Sequence, residues 1–383
     1  MPGALSSPPT PAPASGRPVV VAGFSITALS VLRCLAGSPY DVWLVGCDAR
    51  PGPARASRDH GRVVTYPANG DLVGFLRGLR ARFEERPVLL LTEDAQTIAI
   101  ARGYPEIERD YRILLPDPPT LEALGDKSQF TRLARDGGLP IPPTRILESP
   151  ADLDALDVPY PYVLKPFLHH SQRIDDAAGL REYVAGLAPA SLSSLIVQDW
   201  IPGGDDQLYF CFLLLGPDQE LIASFLGRKL RQHPPGSGTT SFAVSWDDPE
   251  LVRRTHEVLR GLGCHGYCSL EYKYDARTGE YLIMEPTVGR FNQQIALTMA
   301  AGVNFPRLVA DQGYGLALSE RVPTRRAFWI YEFGDLASLW RTGGVRRFPR
   351  ALRRADVRVL LSWRDPLPFL AKLATVVRSR VAL

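Results

Sequence analysis

From Arg17 to Leu115 the chain alternates short apolar runs with helical stretches, and that alternation leaves few folds open. Arg17 to Gly23, RPVVVAG, reads as a buried strand ending at a glycine, and Ser25 to Leu35 as a helix with Leu29, Leu32 and Leu35 at helical spacing. Asp41 to Gly46 and Val63-Val64-Thr65 read as the next strands, Asp71 to Phe83 as a helix, and Pro87 to Leu91 as a strand running into Thr92-Glu93-Asp94. Ile113-Leu114-Leu115 follows as another apolar run. Strands separated by helices must pair in parallel, so residues 17–118 are expected to form an open parallel α/β domain. Residues 1–16, MPGALSSPPTPAPASG, have neither a basic start nor an apolar core and are expected to be disordered rather than a secretory signal.

Gly23 and Asp48 have the spacing of a glycine turn and a ribose-binding acid, but G-x-G-x-x-G is absent, so a plain strand-to-helix turn is the favoured reading. With 44 Lys+Arg against 41 Asp+Glu the net charge is +3, which does not suit a nucleic-acid binder. Five scattered cysteines, Cys264-x₃-Cys268 among them, form no zinc spacing and fit a reduced, cytoplasmic setting. No apolar run reaches the ~18 residues of a membrane span.

The second half carries the chemistry. Ser269 to Asp275, SLEYKYD, and Tyr281 to Glu285, YLIME, read as two strands joined by Ala276 to Glu280, with Gly279 suited to a positive φ. Side chains alternate along a strand, so Glu271 and Glu285 can face each other, a ready site for Mg²⁺ with Arg290 close behind. The plainer reading is a surface hairpin with two solvated glutamates. Lys127 follows Asp126 at a helix start. Lys165 sits in an apolar strand, Tyr160 to Phe167, where it needs an anionic partner or must snorkel to water. Ser194 to Ile201 and Leu208 to Leu215 read as strands, and Leu221 to Leu226 as one leading into Arg228 and Lys229. The Gly236 to Thr240 loop beyond could close on a polyphosphate or be a mobile surface hairpin. From Arg341 to Leu383 ten arginines and Lys372 stand against Asp356 and Asp365. Such a tail can meet an anionic membrane surface or an acidic partner; a solvated helix packed on its own domain is the plainer expectation.

Asp126-Lys127, Leu164-Lys165-Pro166, Val197 to Gly203 (VQDWIPG) and the paired-glutamate hairpin with its arginine, in that order, resemble the ATP-grasp superfamily. The likeness spans residues 18–312 and points to its carbamoyl-phosphate-synthase-like, or carboxylate–amine ligase, group. It implies a two-lobed ATP-grasp domain at 119–312, after the α/β domain of 17–118 and before a basic C-terminal extension at 313–383. It further implies an ATP- and Mg²⁺-dependent ligase, with Mn²⁺ able to replace Mg²⁺, joining a small carboxylate to an amine through an acyl phosphate. The alternatives are an ATP-binding module without turnover and a membrane-surface or assembly protein acting through its tail. Carried over, Lys127 and Lys165 contact the ATP phosphates, with Arg228 and Lys229 near them under the Gly236 to Thr240 loop. Gln198, Asp199, Trp200 and Ile201 line the adenine, and Asp206 or Gln207 reaches the ribose. Glu271 and Glu285 hold Mg²⁺, and Arg290 steadies the transferring phosphoryl group. Thr287 stands where the superfamily usually has an asparagine ligand, so Asn292 is expected to substitute for it, and Arg290 is displaced by one residue. The glycine-rich loop usual after the LKP strand is replaced by Leu168-His169-His170-Ser171-Gln172.

Overall fold

The computed structural model describes residues 16–50, 52–68, 70–147, 152, 159–165, 172–186, 195–316, 318 and 320–381. The expectations for residues 1–15, for the Pro166 end of the lysine strand and for His169-His170 lie outside them.

The first sheet has four parallel strands in the order β3-β2-β1-β4: β1 (Arg17–Ala22), β2 (Tyr40–Cys47), β3 (Arg62–Tyr66) and β4 (Val88–Leu91). The expected parallel α/β domain is present. Ser25 caps the helix Ile26–Leu35, its hydroxyl accepting from Ala28 N, and Asp71 caps Leu72–Arg80. Among the elements not foreseen are the helices Asp94–Arg102 and Tyr104–Asp110. Ile113 to Leu115 forms no strand; the chain there touches the sheet by a single bridge from Arg112 to Val88.

Gly23 ends β1 with φ 111°, where a side chain is strained. A Cβ there would also lie 2.3 Å from Thr92 Oγ1 and 2.9 Å from Glu93 Oε1. Gly23→Ala is therefore expected to lower stability by about 1–3 kcal/mol, read as a lower urea midpoint at unchanged slope.

The second sheet is small and antiparallel, in the order β5-β8-β6-β7: β5 (Thr144–Leu147), β6 (Tyr162–Lys165), β7 (Gln172–Ile174) and β8 (Leu195–Asp199). It has its own modest core of Leu147, Tyr162, Leu164, Ile174, Leu195 and Val197. The third sheet has seven strands, ordered β13-β12-β9-β10-β11-β14-β15. They are β9 (Leu208–Leu215), β10 (Leu221–His233), β11 (Thr239–Trp246), β12 (Gly266–Asp275), β13 (Glu280–Val288), β14 (Phe328–Ile330) and β15 (Val357–Arg358). The first and third sheets share their cores: Val19, Leu29 and Leu90 cluster with Phe212, Phe225 and Trp329.

Residues beyond 312 are built into this body rather than appended to it. β14 pairs with β11 and β15 with β14. Acidic side chains fasten the basic segment. Asp335, fully buried, takes both Arg231 Nε at 2.7 Å and Nη2 at 3.0 Å. Glu332 accepts from Leu360 N and Leu361 N. Asp365 accepts from Ser57 Oγ at 2.7 Å and Arg58 N at 3.1 Å, back in the first domain. The last helix, Leu367–Val381, packs on the Pro53–Ala56 turn of the first domain, with Phe369 against Phe333. Among the described residues no helix is long and apolar enough to cross a membrane.

Candidate active site

The hairpin of β12 and β13 sets the two glutamates. Gly279 turns it with φ 75°, and the pairs Asp275 with Glu280, Tyr274 with Tyr281, Lys273 with Leu282 and Tyr272 with Ile283 count away from the turn in step. The register then shifts: Glu271 pairs with Glu285, leaving Met284 as the extra residue of a β-bulge. Without the bulge Glu271 would oppose Met284, and Glu285 would point to the other face. The bulge therefore creates the facing carboxylates. It also leaves the Met284 carbonyl 3.5 Å from Lys165 Nζ.

Around this pair the three sheets enclose a cavity of about 540 Å³. Lys165, Asp199, Trp200, Ile201, Lys229, Glu271, Glu285, Arg290 and Asn292 all line it, so most of the expected site residues are brought together. The loop Gly236 to Thr240 forms another wall, held down by Asp205, which accepts from Gly236 N at 3.0 Å and Gln232 N at 2.9 Å. Val163, Leu208, Ile201 and Met284 give an apolar patch, while Ser25, Ile26, Thr27, Thr92, Glu93 and Asp94 close the cavity from the first domain. Lys127 and Gln198 line an adjoining space of about 420 Å³ that shares Lys165, Glu285 and Arg290 with the first. Gln198 and Asp199 look into different spaces because consecutive strand residues point opposite ways.

The charges are arranged for an anion and a cation. Lys229 Nζ lies 2.7 Å from Glu271 Oε2 and 3.2 Å from Gln232 Oε1. Burial pushes the Glu271 carboxyl up, and Lys229 pulls it back. Burial lowers the Lys165 ammonium to about 8, with Glu285 opposing and Lys127 adding to the fall. A lysine so depressed is short of negative charge, the condition a phosphate would relieve. Arg290 is held by the Asp94 carboxylate across the domain boundary, Nη2 to Oδ2 being 3.0 Å.

Three expected residues lie elsewhere. Arg228 and Lys229 are neighbours on β10, so only one can face the cavity, and it is Lys229. Arg228 instead bonds the Asp206 carboxylate at 3.2 Å and lies over the Trp246 ring at 4.9 Å. That contact also holds Asp206 outside the cavity lining, and Gln207 folds its amide back against Gly203. Asn292 is in the cavity, but its Oδ1 already accepts from Tyr267 OH at 3.0 Å and Ser269 Oγ at 3.1 Å, and its Nδ2 lies 3.5 Å from Thr287 Oγ1. In this arrangement its oxygen is not free for a metal, so Asn292 does not replace the missing asparagine. Among the described residues no group of three or more His, Cys, Asp or Glu is placed to hold an ion. A pair of hard carboxylate oxygens still suits Mg²⁺, which completes its shell with water and substrate phosphates.

Lys273 was missed, although it stands two residues from Glu271 on the same face. Its buried ammonium donates to Gly203 O at 3.0 Å and Gly204 O at 2.8 Å, fixing the turn that follows Trp200 and Ile201. Lys273→Met leaves two carbonyls unpaired. It is expected to cost about 1.5–3 kcal/mol of stability, as checked by urea unfolding.

No family model matches the chain. It is 22% identical over 263 residues to the D-aspartate ligase of Enterococcus faecium (strain Aus0004), covering 62% of this chain and 61% of that protein. It is 29% identical over 217 residues to the C-terminal section of the carbamoyl phosphate synthase large chain of Methanopyrus kandleri, covering 53% of this chain and 39% of the other. The chain thus spans less than two thirds of the length of either curated relative. Among solved structures it resembles the L-amino acid ligase from Bacillus licheniformis, with TM-score 0.63, 17% identity and coverage of 82% of this chain and 79% of that one. It also resembles the biotin carboxylase domain of the Hydrogenobacter thermophilus 2-oxoglutarate carboxylase, solved as a dimer with MgADP, ADP and bicarbonate: TM-score 0.65, 14% identity, 82% and 73% covered. These likenesses bear out the fold expected from the motif order.

Proposed function

We propose, on the premise that the chain is an ATP-grasp protein by fold, that it is a ligase joining a small carboxylate to an amine at the expense of ATP. The observation that carries this reading is the bulge-set pair Glu271 and Glu285, facing each other in a cavity that also holds Lys165, Lys229 and Arg290. The activities named for the D-aspartate ligase and the L-amino acid ligase, and the MgADP bound to the carboxylase domain, support it.

In this reading the apolar patch of Val163, Ile201, Leu208 and Met284 takes the adenine, beside the backbone of Asp199 to Ile201. Lys127, Lys165 and Lys229 neutralise the phosphates. Glu271 and Glu285 would hold Mg²⁺, or Mn²⁺ in its place. Bound there, the ion supplies compensation for charge on the phosphate oxygens. A substrate carboxylate oxygen attacks the γ-phosphorus and ADP leaves, giving an acyl phosphate. The amine then attacks the acyl carbon and phosphate leaves. Arg290, already in the cavity, steadies the charge that builds at the reacting centre once an anion draws it from Asp94. Catalysis here is positioning and neutralisation, and no enzyme nucleophile is required. We place the protein in the cytoplasm, where ATP is made and where its five free cysteines stay reduced.

Two measurements test the reading. ATP should raise the melting midpoint of the whole chain, and more so with Mg²⁺, because it binds the folded form. Pooled carboxylates and amines should then release ADP only when both pools are present or when the acyl phosphate is trapped. A Mg²⁺-dependent melting shift with no ADP release from any pool would instead identify a nucleotide-binding module. No shift at all would remove the nucleotide site.

A further inference from the structure

A second hollow, of about 320 Å³, lies behind the cavity wall in the first domain. It sits at the carboxyl ends of all four parallel strands: Gly23 follows β1, Cys47 ends β2, Tyr66 ends β3 and Glu93 follows β4. Open parallel α/β sheets take their ligands at that edge. The volume is at the lower end for small-molecule sites. Among the described residues, Glu93 alone lines both this hollow and the large cavity.

The polar groups in the hollow sort into occupied and free. Asp71 caps its helix, accepting from Val73 N at 3.0 Å and Gly74 N at 2.8 Å. Gln96 Oε1 accepts from Thr92 N at 3.0 Å and Glu93 N at 3.2 Å, which fixes the backbone under Glu93. The Arg50 guanidinium lines the hollow and makes no hydrogen bond or ion pair with another described residue. Glu93 is half-buried. Burial pushes its carboxyl up, Arg50, Phe24 N–H and Arg290 pull it back, and Asp94 adds to the rise. A cation and a carboxylate thus stand in one small hollow with no ion pair between them; the carboxylate also caps its helix, accepting from Gln96 N, and lines the large cavity.

We propose that this hollow binds the amine substrate as a small zwitterion of amino-acid size, with its carboxylate on Arg50 and its amino group at Glu93. Leu72 and Ala99 limit the room for its side chain. The inference rests on the ligase reading above and names the class of its second substrate. The Glu93 carboxylate first takes one proton from the bound ammonium, which frees the nitrogen lone pair to attack the acyl-phosphate carbon. The C–N bond forms, the C–O bond to phosphate breaks with its electron pair on the leaving phosphate, and the second proton shed by nitrogen departs with that phosphate. Glu93 is then a catalytic residue and Arg50 a specificity residue.

The test uses the full chain with ATP and Mg²⁺. Glycine and the standard amino acids, in both hands, are compared with ethylamine and propionate, each of which carries one of the two charges. At least one amino acid is expected to support amide formation, and neither control should replace it. Arg50→Gln should raise the KM for that amino acid about tenfold or more, with kcat little changed. Glu93→Gln should lower kcat about 10²-fold and remove the acid limb of its pH profile. It should still form acyl phosphate, trapped by hydroxylamine as a hydroxamate. If wild type makes hydroxamate but uses no amino acid, or if Arg50→Gln leaves the KM untouched, the zwitterion site is overturned and the ligase reading stands. If wild type shows neither an ATP–Mg²⁺ melting shift nor hydroxamate, the ligase reading fails and this inference fails with it.

Discussion

Glu285→Gln is expected to abolish ADP release while leaving the protein folded. The carboxylate is exposed to the cavity, and no hydrogen bond to it is needed to hold β13 against β12. An amide of the same shape keeps the hairpin. What it removes is one of two negative charges on the proposed Mg²⁺ site, where the neutral oxygen left behind would not balance a divalent ion beside Lys165 and Lys229. The expected loss in kcat is roughly 10²–10³-fold or more, with a melting midpoint in the absence of ligand close to that of wild type. The Mg²⁺-dependent part of the ATP melting shift should vanish with it. Near-wild-type turnover would remove the metal assignment.

Lys165→Met carries the second large effect, on nucleotide affinity. Methionine keeps the apolar stem on β6 and deletes the ammonium. A charge-assisted contact to phosphate is worth about 1.5–3 kcal/mol, so ATP should bind about 10–100-fold more weakly. Stability should not fall, and a slight gain is consistent with the sign of the titration. Lys165 titrates near 8 in the folded protein, below the value of a free lysine, so folding disfavours its proton. Its unfavourable contribution is present below pH 8 and fades as the pH rises from 8 toward 10.5. Phosphate reverses the preference. Wild type should therefore take up protons on binding ATP between about pH 8 and 9, seen by calorimetry in buffers of different ionisation heat, and Lys165→Met should lose that uptake.

How far the sequence could be read depended on period and on register. Alternating apolar runs and helices announced the first domain because β1, β2 and β4 are largely buried and the helices Ile26–Leu35 and Leu72–Arg80 carry leucines at regular spacing. The short helices after β4 escaped because Asp94 to Asp110 has no clear apolar stripe: of those residues few are fully buried, Ile100 and Ile107 among them. The glutamate pair was legible in kind but not in cause. A count from the turn at Gly279 places Glu271 opposite Met284, and only the bulge brings Glu285 round. Nothing in YLIME marks a bulge. Arg228 illustrates the opposite error. Two adjacent cations on one strand cannot serve the same cavity, and alternation alone would have required a choice. Asp206 and Gln207 were misplaced for a tertiary reason, because Arg228 and Gly203 engage them. Arg50 and Glu93 fell outside the motifs altogether, since they meet only where the ends of separate parallel strands converge.

The clasp formed by Asp365 also bears on how the protein is made. Ser57 meets the Asp365 carboxylate across 308 positions of chain, and Arg33 reaches the carbonyls of Val359 and Leu360 over a similar span. At ordinary rates of synthesis, about 5–20 residues per second, these first-domain groups wait roughly 15–60 s for their partners. During that interval the nascent chain holds a nearly complete first sheet with one flank still open to solvent. Its final tightening waits until Asp365 has been made.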